Sequence, residues 1–148
     1  MEAALEVLPA TDNAVSRGFW EAALQNRLVV QACSLCGRAH HPPRPFCETC
    51  RKAEMTWRDL SGRGHVWTYA VVHRPVLPAF AKYVPFPVVY VAPVEIPEIR
   101  FAGNLVAHPG APINSVDPAR LRIGLPVRVV FDRVADDVAL PRWMPEEG

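Results

Sequence analysis

The residues of this chain best placed to do chemistry are four cysteines in two identical pairs, Cys33-x-x-Cys36 and Cys47-x-x-Cys50, and the chain has no others. A Cys-x-x-Cys turn brings two thiolates to one side of a tight loop. A second such turn, ten residues further on, completes the four ligands of a tetrahedral metal site. Gly37, directly after the first pair, lets the backbone fold back so that its amides point at sulfur. The alternative use of four thiols is a pair of disulfides, but adjacent turns of this kind seldom form them and nothing in the sequence suggests secretion. A four-thiolate site is coordinatively closed, so the expected metal is a structural Zn2+, with iron accepted by the same geometry.

Other reactive side chains form no constellation. His40 and His41 flank the metal loop and could each replace a cysteine ligand, but four cysteines already fill the set. His65 and His73 fall on one face of a predicted strand, where solvent or edge positions are expected. His108 stands in a loop. Asp132, Asp136 and Asp137 read as a solvated turn rather than a general acid–base pair. The chain contains no Gly-x-Gly-x-x-Gly after a strand, no phosphate-binding P-loop and no Gly-x-Ser-x-Gly. The expected set of catalytic residues is therefore empty, and no intrinsic activity is expected.

The 148 residues are 50% hydrophobic, enough for a core and against general disorder. No apolar run approaches the roughly 20 residues that span a bilayer, and the acidic start Met1-Glu2 lacks the basic opening of a signal peptide. A cytoplasmic location is expected. Net charge is +1 with both signs mixed, without the basic stripe that nucleic-acid binding calls for.

The elements that must position these residues are short. Sixteen prolines argue for strands and loops over long helices. Residues 1–12 read as a tail. Asp12 or Asn13 is expected to cap a helix running to about Gln25, with an apolar stripe of Phe19, Trp20, Ala23 and Leu24. Strands at 27–32 and 55–60 enclose the two cysteine turns, the plan of a zinc ribbon, too small to bury a core without metal. Further strands are expected at 65–73, 87–96, 99–107, 125–132 and 138–143. A proline-rich loop spans 75–85, and a helical turn follows Asp117. Five strands with little helix fit a small OB-type barrel. The fold class is thus mainly β: an N-terminal tail and helix (1–26), a zinc ribbon (27–60) and a five-stranded OB-fold (61–148).

The order of motifs is then recognisable: Phe19-Trp20, Cys33-x-x-Cys36-Gly37, His41-Pro42-Pro43-Arg44, Cys47-x-x-Cys50, Leu60-Ser61-Gly62-Arg63-Gly64, Val71-Val72-His73-Arg74-Pro75, Gly103-Asn104-Leu105-Val106 and Ile123-Gly124-Leu125-Pro126-Val127. Over about residues 16–143 the chain resembles the acyl-CoA-associated zinc-ribbon/OB-fold family known as domain of unknown function 35. The resemblance implies a rubredoxin-like ribbon fused to an OB-fold. It also implies a small subunit of a complex that handles acyl-CoA, commonly beside a thiolase-fold partner (a thiolase, an acyltransferase, or an aldolase that shortens steroid side chains). In one place the chain departs from the family: Glu95-Ile96-Pro97-Glu98-Ile99 replaces a short acidic-glycine turn.

A CoA thioester asks for a few cationic groups beside an apolar channel. Arg44, Arg63, Arg74 and Lys82 are the candidates for its phosphates, and Trp67, Tyr69, Phe80 and Tyr83 for an apolar wall or an adenine stack. Each is also explained as ordinary surface charge or core. Trp20, Phe80 and Tyr83 are candidates for a hetero-oligomeric partner interface. The rival reading is a single-stranded nucleic-acid binder, since OB-folds serve that purpose too.

Overall fold

Valine-rich runs broken by proline leave the chain few options besides short, paired strands. The computed structural model describes residues 7–146. The expectations for residues 1–6 and 147–148 lie outside them. One α-helix, α1 (Arg17–Leu24), precedes eight strands: β1 (Val29–Cys33), β2 (Ala39–His40), β3 (Met55–Asp59), β4 (Arg63–Val72), β5 (Phe86–Pro93), β6 (Phe101–Asn104), β7 (Pro126–Ala135) and β8 (Val138–Pro145).

The helix is shorter than its stripe suggests and is not capped by Asp12 or Asn13. Its N-cap is Ser16, without a side-chain cap bond. Asn13 instead closes a separate turn, its Oδ1 accepting from Val15 N at 2.8 Å and its carbonyl from Arg17 N at 2.8 Å. The far end is a Schellman motif. Asn26 takes a positive φ of 59°, Arg27 N reaches Ala22 O at 2.9 Å, and Asn26 N reaches Ala23 O at 3.0 Å. Phe19, Ala22 and Ala23 are buried against the rest of the chain. Gly18 makes that contact possible, because a Cβ there would lie 2.1 Å from Trp57 Nε1.

The ribbon is a three-stranded sheet in the order β2-β1-β3. β1 and β3 pair antiparallel from Val29 opposite Asp59 to Cys33 opposite Met55. β2 was not expected; two residues are too few to carry an alternation. Gln31 is buried within β1 and bonds both ways to the backbone of Arg44, Nε2 to the carbonyl and Oε1 from the amide, each at 2.8 Å. That amide pair pins the proline-rich link between the cysteine turns to β1.

The second sheet runs β6-β5-β4-β7-β8, antiparallel throughout. Its ladder does not close fully. The outer strands meet at one parallel bridge, Leu105 to Trp143, backed by Val106 N to Trp143 O at 2.8 Å. This is the partly open barrel of an OB-fold. The proline-rich loop contains a 3-10 helix, Pro78–Tyr83, with proline at its start. The helical turn after Asp117 is present, with Asp117 Oδ1 accepting from Ala119 N at 2.9 Å. In the departure from the family turn, Ile96 and Ile99 close a tight turn (Ile99 N to Ile96 O, 3.2 Å), and both are buried. One cluster of buried side chains runs from Phe19 through Leu28, Val29 and Val30 to Val66, Val91, Leu105, Val127 and Trp143. Helix, ribbon and barrel share a core.

Candidate metal centre and binding surfaces

The two cysteine turns are built alike. Cys33 N donates to Arg38 O at 2.9 Å and Gly37 N to Cys33 O at 2.8 Å; Cys47 N donates to Lys52 O at 2.9 Å and Arg51 N to Cys47 O at 2.8 Å. The residue after each turn is left-handed, Gly37 at φ 76° and Arg51 at φ 60°. All four thiols are free cysteines, and their Sγ atoms lie within 4.8 Å of one another. Cys36 and Cys47 are 3.6 Å apart at sulfur, too far for a disulfide. A tetrahedron with metal–sulfur bonds of about 2.3 Å has sulfurs about 3.8 Å apart. The cluster therefore fits one metal ion.

Its electrostatics call for a cation. The amide of Cys50, helped by the His40 ring, the Thr49 amide and the Cys36 thiol, pulls Cys47 down to about 6, while the thiol of Cys36, burial and Cys33 push Cys50 up to about 12. Four thiolates in so small a space repel one another, and a central cation lets all of them ionise. His40 is buried beside the cluster as a partner of Cys47, and the group of side chains close enough to share a metal among the described residues is the four cysteines.

His41 lies on the other side of the link, its ring centroid 4.2 Å from that of Phe101 and 5.6 Å from that of Phe19. Burial there pushes its pKa down to about 4. It is a neutral ring in an aromatic junction. His65, His73 and His108 are exposed.

The four candidate cations do not converge. Arg44 is paired with Glu48, and Arg63 Nε lies 3.5 Å from Glu146. Arg74 is exposed on the loop after β4. Lys82 is exposed beside the Tyr83 ring, 5.1 Å from its centroid. Phe80 and Tyr83, on the 3-10 helix, line a cavity of about 330 Å3 that also reaches Asn104, Asp132 and Arg142. Trp20 lines a different cavity, of about 500 Å3, between the helix, His41 and β6.

The sequence reading named Trp67 without its neighbours Tyr90 and Arg100, and it missed a second group altogether. A bulge in β4 between Val66 and Thr68 leaves Trp67 as the unpaired extra residue. Its ring is 50% exposed and carries the Arg100 guanidinium 4.3 Å from its centroid. Tyr90, opposite Thr68, is 46% exposed. Tyr90 was legible as the outward member of Val89-Tyr90-Val91; the bulge was not. The second group is Arg142 and Asn104, joined across the barrel seam by Nη1 to Oδ1 at 2.6 Å. No pattern in sequence links positions so far apart.

Comparison with known proteins agrees with this geometry. The ChsH2 rubredoxin-like zinc ribbon domain matches residues 20–56, and the ChsH2 C-terminal OB-fold domain matches residues 57–132. A protein of Thermomonospora curvata named "Probable enoyl-CoA hydratase alpha subunit" is 37% identical over 145 residues, covering 96% of this chain and 40% of its own length. The 3-oxo-4,17-pregnadiene-20-carboxyl-CoA hydratase alpha subunit of Mycobacterium tuberculosis is 32% identical over 130 residues, covering 87% of this chain and 37% of its own length. The chain thus spans about two fifths of these two relatives. Among solved structures, a chain of the Ltp2-ChsH2(DUF35) aldolase superposes with a TM-score of 0.79 at 31% identity, over 94% of this chain and 100% of that one. With a ribbon, a four-cysteine cluster and a five-stranded barrel in the matching order, this chain belongs to the ChsH2 zinc-ribbon/OB-fold family, the DUF35 family.

Proposed function

We propose that the chain is a zinc-binding, non-catalytic subunit of an acyl-CoA-processing complex, seated on a thiolase-fold partner whose reaction it supports. The observation that carries this reading is the exposed pair Trp67 and Tyr90 on neighbouring barrel strands, with the half-buried Arg100 stacked on the Trp67 ring just before β6. Aromatic side chains and arginine dominate the energetic centres of protein interfaces. Support also comes from the likeness to the ChsH2 chain of an aldolase named for two components. The pregnadiene-carboxyl-CoA named for the mycobacterial relative favours a steroid acyl group.

The metal in this reading is Zn2+ held by Cys33, Cys36, Cys47 and Cys50, which brace the ribbon. The thioester passes near the 3-10 helix. Arg74 and Lys82, exposed and without an ion pair among the described residues, attract its phosphates, while Arg44 and Arg63 are held by their own acids.

The test is co-expression with a thiolase-fold protein encoded beside this chain. Co-purification is expected, with aldolase or acyl-transfer activity lost when this chain is omitted and weakened at least tenfold by Trp67→Ala with Tyr90→Ala. Full activity of the large subunit alone would sink the proposal. The same exposed aromatics on barrel strands favour one rival, a single-stranded nucleic-acid platform. Fluorescence anisotropy with a labelled oligonucleotide at low salt separates the two, and tight, salt-sensitive binding would select the rival.

A further inference from the structure

The cavity beneath the 3-10 helix has the make-up of a small-molecule site. Its volume, about 330 Å3, lies at the small end of the roughly 300–1,000 Å3 typical of ligand pockets. Phe80, Ile113, Val134 and Leu140 give it apolar walls. At one end stands a charged group, Arg142, whose side chain is only 16% exposed.

That end is pre-organised. Arg142 Nη1 donates to Asn104 Oδ1 at 2.6 Å, and Asn104 Nδ2 is itself held by Pro87 O at 3.1 Å. Arg142 Nη2 lies 3.5 Å from Asp132 Oδ2. A guanidinium has five N–H donors, and these contacts engage two of them; Nε has no partner. Donor capacity is therefore left over, while the charge is already balanced. A carboxylate entering the pocket would meet Asp132 beside the same guanidinium. A neutral oxygen acceptor gains a charge-assisted hydrogen bond without that repulsion.

We propose that this cavity binds a neutral, largely apolar molecule ending in a carbonyl or hydroxyl oxygen, with the oxygen directed to Arg142 and the apolar body between Phe80, Ile113 and Leu140. The site is separate from the Trp67–Tyr90 face and does not depend on the identity of any protein partner. Its selectivity is against anions: a ketone is preferred to the carboxylate of equal chain length. Phosphate-bearing groups are excluded for the same reason.

The experiment titrates 2-decanone, decanoate and progesterone in turn into the full chain, following the methyl resonances of Ile113, Val134 and Leu140 by NMR. Saturable shifts at these methyls are expected with 2-decanone, with progesterone, or with both, and decanoate should bind at least tenfold more weakly than 2-decanone. The tighter of the two ketones tells whether the apolar body is chain-like or ring-like. Ala79→Trp, at a partly exposed position of the 3-10 helix, should fill the cavity and abolish the shifts. Arg142→Met should weaken 2-decanone about tenfold, the worth of one hydrogen bond to a charged group; should that variant not fold, Ala79→Trp decides alone. Shifts that persist in Ala79→Trp, preference for decanoate, or no saturable shift with either ketone would each overturn the proposal.

Discussion

Trp143 lies directly on the backbone of Gly103: a Cβ built on that glycine would sit 3.0 Å from indole Cδ1 and 3.2 Å from Nε1. Trp143 is fully buried and belongs to the one parallel bridge that joins the outer barrel strands. The ring has nowhere to retreat. Gly103→Ala should cost about 1–3 kcal/mol through overpacking, read as a lower urea midpoint at unchanged slope. An unshifted midpoint would show that the seam is loose.

The cysteine cluster makes a sharper demand. Cys47 is fully buried and 3.6 Å from Cys36 at sulfur. Cys47→Ser should release the metal, so that elemental analysis falls from about one ion per chain towards none. Because ribbon and barrel share buried side chains, barrel unfolding should move to lower temperature in the same variant. Retention of stoichiometric metal would contradict the four-thiolate assignment.

The two turns invite a paired substitution. Arg51 holds φ 60° where its counterpart Gly37 holds φ 76°, and a side chain in that region costs roughly 1–2 kcal/mol. Glycine recovers part of it, offset by the entropy it adds to the unfolded chain. Arg51→Gly should therefore stabilise by up to about 1 kcal/mol. A Cβ at Gly37 meets nothing within 4 Å, so Gly37→Ala should destabilise by about 1 kcal/mol, through backbone conformation alone. Chemical denaturation of the zinc-loaded variants measures both. Equal effects of one sign would refute the equivalence of the turns.

His41 supplies a pH dependence. Its folded pKa is pushed down to about 4 by burial, against about 6.5 for an exposed ring. Between these values the unfolded chain binds a proton that the folded chain refuses, so stability is full above about pH 6.5 and declines as pH falls towards 4. The whole decline amounts to about 3 kcal/mol. Protonation of the thiolate ligands adds its own loss at low pH, so the contrast with His41→Phe isolates this part. The variant should show a shallower slope between pH 6.5 and 4. Parallel profiles would place the His41 ring in water.

What was legible in the sequence was what local chemistry encodes. The Cys-x-x-Cys spacing announced the cluster, valine runs announced the barrel strands, and Asp117-Pro118 announced its helical turn. The misses have a common cause, dependence on something distant or on a single backbone angle. Ser16 replaced Asn13 as the helix start because Asn13 spends its side chain on Val15 N. β2 exists only because β1 offers it an edge. The 3-10 helix hid among prolines that also suit a plain loop. Trp67 faces outward through a bulge, and the Arg142–Asn104 bond spans 38 positions. Arg44, Arg63, Arg74 and Lys82 share a charge, which says nothing about whether they meet.

Leu28, Val29 and Val30 of the ribbon strand lie in the same buried cluster as Val66, Val127 and Trp143 of the barrel. Any stiffness that thiolate coordination lends the ribbon is therefore passed directly to the barrel wall. On the proposed reading, metal supply would then bear on the surface offered to a partner as well as on the cysteine knuckles.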